Sequence, residues 1–328
     1  MKNFLVLIGI GLVLVSCGDD DVGGIPGESL PPRPLAEVAA ENDAEIQEYL
    51  STHFYNYDEF QNPPADFDFR IVIDTIAGEN SDRTPLLEQV SSATVNVSSF
   101  EFRLSDEQLD VPHTFYYLEA EEGIGVSPTI ADSTFVQFEG SLLNGTVFSG
   151  INNNGEWFDL ARIQAPLQGL RGFAEGMVKL QSGGAIVTNP DGTFNVDQPG
   201  IGLVIFPSGL GAFNSNVAAI PNSQFNPVIF RLKLLLVNPT DHDNDGIPSI
   251  DEDLNGNGYL FDDNSDEESE IELGGNNAPL VSDFQDFDDD NDGVSTRDEI
   301  SDEDGNIIFP YPDSNNDGIP DYLDPDTN

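Results

Sequence analysis

The sequence predicts an α+β fold for the middle of the chain, an antiparallel sheet wrapped on one short helix. Two observations carry this. Between Pro112 and Val237, six segments read as strands: Thr114–Ala120, Ser133–Leu143, Trp157–Ile163, Gly184–Thr188, Ile201–Phe206 and Val228–Val237. Among them, Leu170, Phe173, Met177 and Leu180 form a single apolar helical stripe that stops at Gly183-Gly184. The sheet needs that helix to cover its apolar face. The flanks differ from this core: a helix-plus-strand extension precedes it, and an irregular acidic run follows it.

The first seventeen residues, MKNFLVLIGIGLVLVSC, place Lys2 before an apolar run from Phe4 to Val15 and end on the chain's only cysteine. This is a signal-peptide pattern, too short for a stable transmembrane helix. Leu14-Val15-Ser16-Cys17 resembles the lipobox of bacterial lipoproteins. The resemblance implies cleavage before Cys17, a lipid on its sulfur, and an outer-membrane protein that is periplasmic or surface-exposed. Gly18-Asp19-Asp20-Asp21 follows at once and resembles the surface-export signals of Bacteroidetes lipoproteins. With one cysteine, no disulfide can hold the fold.

Residues 18–34, rich in Gly, Pro and acid, read as a flexible tether. Residues 35–108 form the extension. Leu35, Val38, Ile46, Tyr49, Leu50 and Phe54 recur at near-helical spacing, predicting one amphipathic helix from Leu35 to Phe54. After Asn62-Pro63-Pro64, the alternation of Phe67–Ile73 and of Val95–Leu104 predicts two strands.

The 328 residues, 38% of them apolar and 22 of them phenylalanine, can build a sizeable core. The net charge is −49. From Thr240 onward, 29 acidic residues face one basic residue, Arg297, so −28 of that charge lies in the last quarter. Such a surface repels nucleic acid phosphates and anionic lipid, which excludes nucleic-acid binding and leaves cations or basic partners as ligands. His53, His113 and His242 are far apart in sequence, and the chain carries neither a nucleophile–base set nor zinc spacing.

Five segments, in order, resemble FK506-binding-type (FKBP) prolyl isomerases. DSTFVQFEGSLLNGTVF (132–148) is similar to their core strand and Asn/Asp-Gly turn, and GFAEG (172–176) to their Gly-Trp-x-Glu-Gly helix start. LVIFPSGLG (203–211), Ile220-Pro221 and VIFRLKLL (228–235) are similar to the remaining signature segments. The resemblance spans residues 112–238 within a domain placed at 109–238. It implies proline-containing polypeptide clients and a pocket lined by Phe148, Leu170, Phe173 and Phe230, with Trp157 or Phe158 and Ile220 at its walls. Phe138 takes a position that is usually tyrosine, and Phe173 that of the floor tryptophan. Two positions depart from the family: Ser149 stands where aspartate is usual, and Ala212 where the carbonyl-binding tyrosine would be. The loop Asn189–Gly200 is an addition.

An aromatic pocket suits this chemistry. An X-Pro amide rotates over a barrier of about 18–20 kcal/mol because twisting destroys its resonance. The twisted amide is less charge-separated than the planar one, so a dry apolar pocket binds it more tightly. No nucleophile, metal or cofactor is required for catalysis. If Ser149 and Ala212 abolish turnover, the alternative is a degenerate binding or chaperone module at the cell surface.

The tail, residues 239–328, repeats a calcium-loop pattern. In DHDNDGIPSIDE (241–252), Asp241, Asp243, Asp245 and Glu252 occupy positions 1, 3, 5 and 12, with glycine at 6. DDDNDGVSTRDE (288–299) repeats this with Asp288, Asp290, Asp292 and Glu299. DSNNDGIPDYLD (313–324) offers Asp313, Asn315, Asp317 and a shorter Asp324. A fourth motif, DLNGNG (253–258), is degenerate, and Asn264–Gln285 shows no such pattern. Long flanking helices are missing from the pattern, so the loops resemble thrombospondin type 3 repeats. Calcium is expected to be structural, ordering a tail otherwise too acidic to fold.

Overall fold

The computed structural model describes residues 33–105, 108–166, 169–190, 194–211, 213, 224–274 and 280–327. Its strands are β1 (His53–Tyr55), β2 (Ile73–Thr75), β3 (Ser91–Val97), β4 (Val111–Glu121), β5 (Ser133–Leu142), β6 (Val147–Asp159), β7 (Ile186–Thr188), β8 (Phe194–Val196), β9 (Gly200–Phe206) and β10 (Val228–Asn238). Its α-helices are α1 (Leu35–Thr52), α2 (Tyr57–Gln61), α3 (Arg171–Met177), α4 (Glu267–Gly274) and α5 (Thr296–Glu299). The architecture is mixed α and β around one antiparallel six-stranded sheet of order β3-β4-β9-β10-β5-β6. β1 pairs with β2, and β7 with β8, in separate two-stranded ribbons.

At its centre the sheet is buried on both faces, and β9 shows why. Its GIGLVIF run is apolar at every position, as a strand covered on two sides must be. Val204 and Phe206 point into the larger core with Phe173 and Met177 of α3. Ile201, Leu203 and Ile205 point the other way, onto Ile46 and Leu50 of α1. Thus the N-terminal extension is a second cover for the sheet, where sequence reasoning assigned the cover to one short helix.

A buried polar bolt fixes α1. Asn42, 2% exposed, accepts hydrogen bonds from the Ser208 backbone N–H at 2.9 Å and hydroxyl at 2.7 Å, and donates to the Phe225 carbonyl at 2.9 Å. On the opposite face α3 sits very close to β9, which its two glycines permit. A Cβ at Gly172 would lie 2.3 Å from Phe206 Cγ, and one at Gly176 would lie 2.6 Å from Val204 Cβ. The GFAEG spacing places both glycines on the helix face that meets the sheet.

Several boundaries differ from expectation. Phe67–Ile73 is not a strand; only Ile73–Thr75 pairs, with β1. Phe67 and Phe69 instead pack on Phe60 at 5.0 and 6.3 Å, and Phe69 turns to φ 55°, which no strand tolerates. β3 starts at Ser91 and ends at Val97 rather than running to Leu104. Ser98 and Glu101 form a capping box that turns the chain into a 3₁₀ segment, Ser99–Phe102. β6 begins ten residues before Trp157 and ends at Asp159, because Val147–Ile151 pairs with β5 as the second arm of the Asn144-Gly145 hairpin. α1 stops at Thr52, where His53 becomes extended and opens β1.

The first half of the tail rests on the sheet domain. Leu260 and Phe284 are buried within the larger core. His242 Nε2 lies 3.0 Å from Asp159, Thr240 Oγ1 donates to the Ala131 carbonyl at 2.6 Å, and Arg171 reaches the Asn257 carbonyl at 3.1 Å while lying over Tyr259. Asn264–Gln285, patternless in sequence, contains α4 and this Phe284 anchor. Farther on, Ile247, Ile300 and Tyr322 form a small core of the tail's own.

Candidate functional site

Strand alternation and register bring the sequence-predicted aromatics together. Phe138 on β5 and Phe230 on β10 lie on the α3 face with ring centroids 6.1 Å apart. Phe173, one residue past the Gly172 contact, drops onto both, at 6.1 Å from Phe138 and 5.2 Å from Phe230. Phe158 of β6 meets Phe138 edge-on at 5.3 Å and Phe173 in a tilted contact at 5.0 Å. Phe148 meets Phe230 at 5.8 Å from the hairpin end. Gly140, opposite Phe230 in register, makes room for it: a Cβ there would lie 2.5 Å from Phe148 Cε2 and 3.0 Å from Phe230 Cε1.

The rings fill the site themselves. Phe173 is 1% and Phe230 2% exposed, whereas Phe148 and Phe158 are only partly buried and form its rim; Leu170, also partly buried, packs against the same core. Ser149 follows Phe148 on β6, half-buried. Trp157 is not part of the group. It is 51% exposed and packs on Phe135 at 5.3 Å, because neighbouring strand residues face opposite sides and Phe158 takes the inward one. Ile220 and Ala212 lie outside the described residues, as does Cys17. Sequence reasoning missed Phe206, which stacks on Phe230 at 5.8 Å and 6°; its alternation with Val204 in β9 was the available signal.

The tail's loops share one backbone. Asn244, Asn291 and Asn316 at position 4, and Gly246, Gly293 and Gly318 at position 6, all have positive φ, which explains Asn and Gly at those places. In the first loop Asp241 accepts from the Asn244 and Gly246 N–H groups, and Asp245 from Ile247. The degenerate motif folds the same way, with Asp253 accepting from Asn257 and Gly258, and Asn257 from Tyr259. It is closed by Asp263, which accepts from Asn255.

These loops pass a test for fit to a hard cation. Among the described residues, buried oxygens of Asp243, Asp245, Glu252, Asp288, Asp290, Asp292 and Glu299 have no hydrogen-bond partner. Asp241, Asp243 and Asp245 converge, as do Asp288, Asp290 and Asp292. Burial and the neighbouring carboxylates push Glu252 up to about 10 and Glu299 up to about 8. In the third loop, by contrast, Asp324 accepts from Asn315 at 2.8 Å and Thr327 at 2.7 Å, so internal donors already satisfy it.

In comparison with known proteins, residues 242–312 of the tail match the family described as BamM C-terminal. No curated protein matches the chain. Solved structures with similarity to part of the chain are FKBP-type peptidyl-prolyl isomerases. A peptidyl-prolyl cis-trans isomerase from Pseudomonas syringae pv. tomato is 18% identical over 41% of this chain and 78% of its own, with a TM-score of 0.28. FkpA from Escherichia coli is 18% identical over 62% of each chain, with a TM-score of 0.32. The N-terminal domain of FKBP42 from Arabidopsis thaliana is 14% identical over 38% of this chain and 86% of its own, with a TM-score of 0.29.

Proposed function

We propose that the chain is an FKBP-type peptidyl-prolyl cis-trans isomerase carried on an exported lipoprotein, held to the outer membrane through Cys17, with a calcium-ordered tail. The observation that carries the isomerase reading is the convergence of Phe138, Phe148, Phe158, Phe173 and Phe230 on one sheet face. A proline ring seated on the Phe148–Phe158 rim would leave its amide against aromatic surface and away from water. There the twisted amide, with less charge separation, is favoured over the planar one. The chain's part is to bind the ring, orient the flanking peptide and exclude solvent.

Calcium would be held by Asp241, Asp243, Asp245 and Glu252 in the first loop, and by Asp288, Asp290, Asp292 and Glu299 in the second. The third set is Asp313, Asn315, Asp317 and Asp324. Bound there, the ion supplies charge compensation and folding energy to the tail.

Two observations favour a second reading, a client-binding module without turnover. Phe173 and Phe230 are packed shut, and Ser149 replaces the usual carboxylate beside Phe148. Proline exchange in a short peptide, followed by NMR with the full chain, separates the two. Accelerated exchange supports the enzyme; unchanged exchange with a folded chain that still binds the peptide leaves the binding module.

A further inference from the structure

Asp289 occupies position 2 of the second loop, a place to which the ligand pattern assigns no role. It is nonetheless 1% exposed, and neither of its carboxylate oxygens has a hydrogen-bond partner. The side chain leaves its own loop and enters the first: oxygens of Asp289, Asp243 and Glu252 all lie within 4.8 Å of one another. Glu252 is 2% exposed, and both of its oxygens also lack partners. Asp283, itself 1% exposed, is satisfied by Ser265 and adds further negative charge nearby. Arg297, the tail's only basic residue, spends its contacts on the Asp245 and Gly305 carbonyls.

Three buried carboxylates that face one another without donors repel each other and give up their hydration, at a cost of several kcal/mol per ion. A hard cation removes both penalties. Oxygens around calcium sit at about 2.3–2.6 Å from it, so opposite ligands are roughly 5 Å apart. The Asp243–Glu252–Asp289 group therefore has room for one such ion, and its all-carboxylate character suits calcium better than the more strongly hydrated magnesium.

We infer that Asp289 is a cross-loop calcium ligand, sharing one ion with Asp243 and Glu252 of the first loop and so tying the two loops together. The inference rests on the calcium reading of the tail and extends it to a residue outside the loop pattern. Its consequence is coupling. The Asp289 N–H donates to Thr296 Oγ1 at 3.2 Å, and Thr296 is fully buried at the start of α5. An ion that fixes the Asp289 side chain thus holds Asp288 and Asp290, the adjoining ligands of the second loop, in place. Filling the first site should strengthen the second, and by linkage the reverse.

The test is calcium titration calorimetry on the full chain, comparing wild type, Asp289→Asn and Asp298→Asn, the last an exposed acid in the same loop. Expected is a loss of about tenfold or more in affinity at one site, and of cooperativity, for Asp289→Asn alone. Thermal melting in chelator supplies the second readout. Replacing a carboxyl group that is buried without a hydrogen-bond donor should leave the calcium-free Asp289→Asn chain as stable as wild type or more so. If wild type takes up calcium and Asp289→Asn matches it in number and affinity, the cross-loop ligand is overturned and the calcium reading stands. If wild type takes up none, both fall. An Asp289→Asn chain that melts earlier in chelator would assign the residue a merely structural role, and would also overturn the proposal.

Discussion

Truncating Phe230 and Phe148 separates the part of the aromatic group that holds the sheet together from the part proposed to meet a client. Phe230 is 2% exposed and touches four rings, Phe138, Phe148, Phe173 and Phe206, at 5.2–6.1 Å. Phe230→Ala therefore leaves a cavity at the centre of the core, costing about 3–5 kcal/mol. Phe148 is only half-buried, and Phe230 is its one ring partner among these contacts. Phe148→Ala should cost roughly 1–2 kcal/mol, a loss that a protein of ordinary stability survives folded. Urea denaturation in saturating calcium measures both. Proline exchange measured on the same samples should then drop about tenfold or more for Phe148→Ala, equal to about 1.4 kcal/mol of lost contact with the twisted amide. Equal destabilisation by the two variants would refute the assignment of rim and floor. Wild-type exchange in Phe148→Ala would refute the rim as the client's seat.

Three other outcomes follow from the same physics. Gly172→Ala should push α3 off β9, because its Cβ would lie 2.3 Å from Phe206 Cγ. A loss of about 1–3 kcal/mol in urea unfolding is expected, and a neutral result would mean that the helix is not seated on the strand as described. Burial lowers His113 from its ordinary 6.5 to about 4, so the unfolded chain takes a proton that the folded chain refuses. The stability that this histidine contributes is complete above pH 6.5 and is lost as pH falls toward 4, at about 1.4 kcal/mol per pH unit. The wild-type advantage over His113→Gln should shrink across that window, and a flat difference would contradict the buried neutral ring. Finally, chelating calcium should raise amide exchange in the first two loops far more than in the third, whose Asp324 already has internal donors. Equal responses in all three loops would argue against ranking the sites by their unsatisfied oxygens.

The residues that could be read in sequence are those whose role is set by local periodicity. The α3 stripe, the strand alternation and the repeated Asp-x-Asp/Asn-x-Asp-Gly spacing each declare a backbone shape within a dozen residues, and Phe138, Phe158, Phe173 and Phe230 follow from them. What was illegible depended on pairing at a distance. Nothing in Phe67–Ile73 says that no strand lies beside it, so an alternating pattern reads as a strand where the structure uses Phe67 and Phe69 as wedges against Phe60. Likewise Trp157 and Phe158 are equivalent until the register of β6 on β5 decides which of them faces inward.

The acidic tail carries this furthest. Composition alone makes Asp289 one of three consecutive aspartates in a chain of net charge −49, indistinguishable from solvated surface. Folding separates the three, sending Asp288 and Asp290 into their own loop and Asp289 into the first. A surface carboxylate costs nothing to leave in water, whereas one buried without a donor must be protonated, compensated or expelled. Burial and the surrounding carboxylates push Asp289 up to about 9, so at neutral pH a proton occupies the position that a cation would take. Calcium binding at this junction should consequently release protons, whereas at the third loop, where hydrogen bonds hold Asp324 below the ordinary carboxylate range, it should release none. Proton release that depends on Asp289, measured by titrating calcium in buffers of different ionisation enthalpy, would identify the cross-loop group as the place where a cation displaces protons.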